Sequence, residues 1–242
     1  MTEEKWLRAV RPREMLEHLD TVLPVEPENE EGDVPLNRKL RLFAVACCHR
    51  IGRLLTDQRS RDGLAFLERY LERQATEEDR REIANSSAKV TWDYESVRDG
   101  RLEAATAVYR AIDDIMDEFT DAWEVAEGAA DAVGLVEYAP NEDYPLYIRS
   151  KEAEEAQQTA LVREIFGNPF RPVAFSEQWR TSDVMLLARG IYEEKAFDRM
   201  PILADALQDA GCDADALLAH LRDTSAPHVR GCWALDLVLG KE

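Results

Sequence analysis

Apolar positions recur every three or four residues along most of the chain, and no useful stretch alternates apolar with polar, so the pattern predicts helices throughout. Residues 3–23 read as a short helical opening through Trp6, Leu7, Met15, Leu16 and Leu19, with Pro12 suited to the first turn of a second helix. Residues 24–35 are acidic and broken by Pro24, Pro27 and Pro35, which makes them a loop. Asn37 is placed to cap a helix over 38–56. Its apolar residues (Leu40, Phe43, Val45, Ala46, Cys47, Ile51, Leu54, Leu55) spread around so much of the circumference that most of it is buried. An amphipathic helix over 59–73 follows, then one over 77–99 opened by Thr76-Glu77-Glu78-Asp79.

The clearest periodicity lies in 101–133. Ala105, Tyr109, Ile112, Met116, Phe119, Trp123, Ala126, Ala130 and Val133 step by four and three, a heptad seam that predicts one long helix packed lengthwise against another. The partner is the preceding helix or a second subunit; the mixture of aromatics and alanine favours the first. A second break falls at 137–147, and helical pattern resumes over 149–166 until Gly167-Asn168-Pro169 stops it. Short helices over 182–196, 198–210, 213–222 and 227–239 complete the chain, with Asp213 as an N-cap and Gly211 and Gly240 where C-caps belong. The expected fold is an all-α multi-helix bundle. It has N-terminal helices (1–75), long central helices forming a hairpin (76–136) and a C-terminal short-helix module (148–242) around one continuous core.

Composition adds a heavily solvated surface: 33% of residues are charged and the net charge is −19. Such a chain repels nucleic acid and anionic membranes, and attracts basic partners or cations. No run of about 18 apolar residues offers a membrane span, and the acidic start, Glu3-Glu4, does not resemble a signal peptide. The expected location is the cytoplasm. Cys47, Cys48, Cys212 and Cys232 are accordingly read as reduced thiols.

The segments 165–173, 188–192, 196–207, 210–212, 218–222 and 228–241, which include Gly167-Asn168-Pro169-Phe170-Arg171-Pro172 and His228-Val229-Arg230-Gly231-Cys232-Trp233, resemble a family of uncharacterised bacterial proteins. So do residues 38–48 and Leu55-Thr56-Asp57. The resemblance covers roughly half the chain, at its two ends, and implies no activity, cofactor or partner. The Pro/Glu-rich loop before Arg38 looks like an insertion, and the central helices lie outside the resemblance.

Several constellations could carry chemistry. Asp113-Asp114-Ile115-Met116-Asp117 resembles the aspartate-rich magnesium motif of terpenoid synthases and prenyltransferases, but neither a second such motif nor a basic cluster accompanies it. More broadly, residues 111–131 hold eight acids and no base, among them Asp113, Asp114, Asp117, Asp121 and Glu124, whereas 36–61 hold seven bases against Asp57. The two segments either neutralise each other as neighbours, or the first is an acidic ridge that docks a basic protein. In the last third, Cys212, His220, His228 and Cys232 offer zinc-type donors, with His228 and Cys232 at i and i+4. Lacking a close Cys pair, they are read as scaffold, and no metal or cofactor is expected. A polar set, Asp198, Arg199, Asp205, Arg222, His228, Arg230 and Asp236, is either an ion-pair lattice or a pocket for a phosphate or carboxylate. Cys47-Cys48-His49 point in different directions on one helix and form no dyad among themselves. The leading expectation is a non-catalytic protein–protein interaction module; the alternative is an enzyme or toxin-like effector using the C-terminal Asp/Arg/His cluster.

Overall fold

The computed structural model describes residues 1–23, 35–113, 119–140 and 142–241. Among these, twelve α-helices and three single-turn 3₁₀ helices occur, and no strand. The chain divides into two compact units, 1–159 and 160–242, with the division inside one helix.

The first unit opens with α1 (Glu3–Arg8) and α2 (Pro12–Val22), which bury Trp6, Met15, Leu16 and Leu19. Proline begins α2, as expected, because the first turn has no use for its missing N–H. The α3 helix (Pro35–Arg50) starts earlier than Asn37 suggested, with a proline again at its first position. It ends at Arg50 and hands over to a 3₁₀ turn at Gly52–Leu54 instead of running to residue 56. Residues 42–48 of α3 are all buried, as its wide apolar surface demanded. Asp57 starts α4 (Gln58–Leu71) by accepting the Arg59 N–H at 2.8 Å.

A reciprocal capping box opens α5 (Glu77–Asp93): the Asp79 N–H donates to Thr76 Oγ1 at 3.2 Å, and the Thr76 N–H donates to Asp79 Oδ2 at 2.8 Å. The seam of 101–133 is not one helix. It is divided between α6 (Arg101–Asp113) and α7 (Phe119–Tyr138), and its members Met116 and Phe119 lie outside the described side chains.

The halves fold back on each other: Arg110 meets Glu124, Ala107 lies opposite Gly128, and Gly100 meets Ala132, an antiparallel order. A heptad pattern specifies a buried stripe, and a stripe can be folded at its middle without changing which residues it buries. Both helices bury many small residues (Ala104, Ala107, Ala111, Ala122, Ala126, Ala129), and Ala107 faces Gly128 across the pair, so the backbones approach closely. Gly100 shows how closely: it has φ +85°, and a Cβ there would stand 2.3 Å from the Ala132 carbonyl oxygen. The α8 helix (Tyr144–Phe166) begins sooner than the pattern suggested, with the Leu146 N–H donating to Asp143 Oδ1 at 3.0 Å. Its early turns meet α7, where the Gln158 amide donates to the Ala126 carbonyl at 2.8 Å.

The second unit holds the last turns of α8, then α9 (Ser182–Glu194), α10 (Met200–Asp209), α11 (Asp215–Arg222) and α12 (Trp233–Leu239). Its apolar centre includes Val184, Ile191, Met200, Leu203, Leu207, Leu217, Leu221, Leu235 and Val238. Asp213 does not cap α11, which begins after Ala214 with no side-chain cap, and α12 starts at Trp233, with 227–232 forming a turn before it. Gly240 ends α12 in the left-handed region (φ +66°), and Arg180 donates to the Leu237 and Val238 carbonyls at 3.0 and 2.9 Å. No described helix is long and apolar enough to cross a membrane.

Candidate functional site

The acidic segment distributes its charge along α7. Glu124 is paired with Arg110 at 2.7 Å; Asp131 meets Lys151 at 2.6 Å and accepts from the Tyr147 hydroxyl at 2.6 Å; Glu127 stands 3.8 Å from Lys151. Asp113 ends α6 and accepts the Tyr109 hydroxyl at 2.6 Å, while Asp114 and Asp117, and with them the body of the aspartate-rich motif, lie outside the described residues. Two bases of the segment 36–61 pair outside the acidic one. Arg50 binds Glu154 through two bonds, and Arg59 binds Asp57 and Asp93. Helices α3 and α7 are packed neighbours. The partners of Glu124, Glu127 and Asp131, however, come from α6 and α8.

The C-terminal polar set is dispersed. Arg199 pairs with Glu194 at 2.9 Å, and Arg222 with Asp205 at 2.8 Å and with Gln208 at 2.6 Å. Arg230 lies over the Tyr192 ring, 5.4 Å from its centroid. Asp198 is exposed, and Asp236 is buried in the first turn of α12. The three arginines each have their own partners, Arg230 also reaching the Glu193 carbonyl at 3.5 Å, beside the Arg199–Glu194 pair.

One cluster does converge. Glu164, in the last turns of α8, is 2% exposed between buried Leu161, Val162 and Ile165. His220 sits in the final turn of α11, positioned by Leu217 and Leu221, which face the core. His228 and Cys232 come from the turn before α12. There Asp223 accepts the Ser225 N–H at 2.9 Å, the Cys232 N–H reaches the Val229 carbonyl at 3.1 Å, and Gly231 adopts φ +88°.

Their donor atoms all lie within 4.8 Å of one another. His228 Nδ1 donates to Glu164 Oε1 at 3.0 Å. His220 Nε2 stands 3.2 Å from Glu164 Oε2 and 3.3 Å from Cys232 Sγ. The first of these contacts is off the direction of a hydrogen bond, so Oε2 has no hydrogen-bond partner, and His228 Nε2 also has none.

Burial alone would raise the Glu164 carboxyl, but the two imidazoles overcome it and hold the group at about 2. Burial pulls His228 down and Glu164 pulls it up, with a net rise. The Cys232 thiol is pushed well above its usual range by complete burial, reinforced by the Glu164 charge.

This is not the geometry of a cysteine nucleophile. In a relay the acid orients one ring nitrogen while the thiol faces the other; here carboxylate and thiol both face Nε2 of His220. Cys212, the fourth donor in the sequence pattern, is not in the cluster but in the apolar centre. Glu164 takes its place, and no spacing in the sequence marked it, since an acid on a helix that ends at a glycine ordinarily faces water. Cys47 and Cys48 are buried in α3 with thiols raised by burial, Cys48 to about 12, and His49 turns outward to Glu68 at 2.7 Å.

The fold is all-helical, and the site is a Glu/His/His/Cys cluster whose Glu164 and Cys232 are buried and whose His220 and His228 are half-buried. No protein-family model matches the chain, and no curated protein or solved structure matches it.

Proposed function

We propose that the protein is a non-catalytic interaction module, an adaptor or regulator that engages a basic protein partner through charged helix surfaces. The observation that carries this reading is the face of α7. Asp121, Glu124, Glu127 and Asp131 recur along it, and Glu124 and Glu127 keep about two-fifths of their side-chain surface exposed while ion-paired. Arg110 and Lys151 hold some of these carboxylates in fixed positions, and the face keeps more acids than bases. A pre-positioned acidic face accelerates encounter with a basic surface and weakens as salt screens it. The same reading places the protein in the cytoplasm, with neither nucleic acid nor membrane as partner. The engagement of Arg199 and Arg222 in ion pairs with Glu194 and Asp205 favours the ion-pair lattice over a phosphate pocket, so the effector alternative is not taken up.

The test is capture from native lysate at low salt, repeated with a variant carrying Asp117→Lys, Asp121→Lys and Glu124→Lys. Proteins retained by the native chain should be lost both at high salt and with the variant. Capture that survives charge reversal, or none at low salt, removes the reading.

A further inference from the structure

We propose that Glu164, His220, His228 and Cys232 form a closed, structural zinc site that fastens the end of α8, the end of α11 and the turn before α12 to one another.

Three independent elements deliver these residues to one place, with donor atoms no more than 4.8 Å apart. Around a tetrahedral zinc, with bonds of about 2.0–2.3 Å, donors stand roughly 3.3–3.7 Å from each other. Two approaches, His220 Nε2 to Glu164 Oε2 at 3.2 Å and to Cys232 Sγ at 3.3 Å, are already near that spacing; His228 Nδ1 stands 3.0 Å from the other carboxylate oxygen, and the widest separation must close by roughly 1 Å.

As a purely hydrogen-bonded cluster the arrangement is incomplete. The single proton on His220 Nε2 cannot serve both Oε2 and Sγ, and Oε2, on a carboxylate 98% buried by its 2% exposure, is left without a donor. A buried carboxylate oxygen that accepts no hydrogen bond is costlier than a neutral acceptor in the same position, even with the His220 ring 3.2 Å away. A cation at the centre of the four donors pairs with Oε2 directly and gives the thiol and the imidazole a reason to face the same point.

The donor chemistry selects the ion. One thiolate, two imidazoles and one carboxylate suit zinc; calcium and magnesium take oxygen donors and would not use the sulfur or the imidazoles. Four protein donors fill a tetrahedral shell and leave no position for substrate, so the role is structural. Binding removes the proton from Cys232 and from any imidazolium nitrogen that ligates, and these protons pass to solvent. The second unit is small and built of short helices, the circumstance in which a metal clip contributes most to folding.

The experiment uses the full chain with its affinity tag removed. Zinc content is measured by mass spectrometry after gel filtration, and the metal-free chain is titrated with zinc and, separately, with cobalt(II). One zinc per chain is expected, with a rise in Tm on adding zinc to the metal-free chain. Cobalt should give the visible absorption of a tetrahedral site and a near-ultraviolet sulfur-to-metal band. Cys232→Ser should abolish that sulfur band and weaken zinc binding by at least the roughly 10–100-fold that even outer-shell changes cost. His49→Gln, outside the cluster, should leave both unchanged. If Cys232→Ser does not fold, Glu164→Gln and the metal-free native chain carry the test. Zinc well below one per chain, no Tm response and no sulfur-to-cobalt band would overturn the proposal, as would binding that survives both ligand substitutions. The outcome is separate from that of the α7 face, because charge reversal there leaves the zinc donors intact.

Discussion

Replacing Arg50 by methionine isolates what one ion pair contributes to the first unit. Its guanidinium, at the end of α3, binds both oxygens of Glu154 on α8, Nε at 2.5 Å and Nη2 at 2.9 Å. The Glu154 side chain is 8% exposed and that of Arg50 is 30%. Removing one partner of a buried pair typically costs about 3–5 kcal/mol, because the remaining charge keeps its desolvation and loses its compensation. Arg50 is close enough to solvent for water to reach part of the vacated space, so Arg50→Met should cost about 2–3 kcal/mol. Arg50→Met combined with Glu154→Leu removes both charges and should recover most of that loss, giving a coupling of about 2 kcal/mol.

The assay is urea unfolding at neutral pH followed by circular dichroism, with two transitions fitted if the two units melt apart. A single variant within about 0.5 kcal/mol of the native chain, with additive double-mutant behaviour, would refute the premise that Glu154 is desolvated.

Other perturbations test other elements. Gly100→Ala should cost about 3 kcal/mol or more, because the left-handed backbone strains any side chain and the new methyl would meet the Ala132 carbonyl; a shift in urea midpoint reads it. Thr76→Ala removes half of the capping box and should cost about 1 kcal/mol in the same assay. Arg80→Met should cost about 2–4 kcal/mol, since its guanidinium donates to the Ile112 and Asp113 carbonyls at 2.8 and 2.7 Å and closes the end of α6. Glu77 is held at about 2, chiefly by hydrogen bonds from Arg80, below its ordinary 4.5. Its contribution is therefore present above about pH 5 and lost as pH falls toward 2. With nearly half its side chain in water it supplies about 1 kcal/mol or less, and Glu77→Gln should flatten that part of the acid-unfolding curve.

Helical class, most element positions and the glycine terminators were legible because burial follows a period of three to four residues wherever a helix packs. What periodicity does not encode is where a buried stripe turns back. Ala105, Ile112, Ala126 and Ala130 are buried whether 101–133 is one helix or two, so the break between α6 and α7 left no mark in the seam. Helix starts at Pro35, Asp215 and Trp233 were misplaced by a few residues, because candidate caps such as Asn37 and Asp213 are chemically suitable wherever they fall.

The converging cluster was half visible. His220, His228 and Cys232 stood out by residue type, but Glu164 is a charged residue in a chain with 49 acids, and only the packing of α8 reveals that it faces inward. The charge segregation between 36–61 and 111–131 was a true feature of the sequence, yet proximity in space, not local sign, decided that Arg50 pairs with α8 and Glu124 with Arg110.

The helices α10, α11 and α12 span ten, eight and seven residues, and none begins with a side-chain cap. Segments so short are unstable alone in water, since the free energy of nucleating a turn is not recovered over so few bonds. Each exists because the others are present, so there is no partial form to retreat to. Their backbone amides should therefore exchange with deuterium at one shared rate, in a single opening of the whole assembly, and a protease should find either all three segments or none.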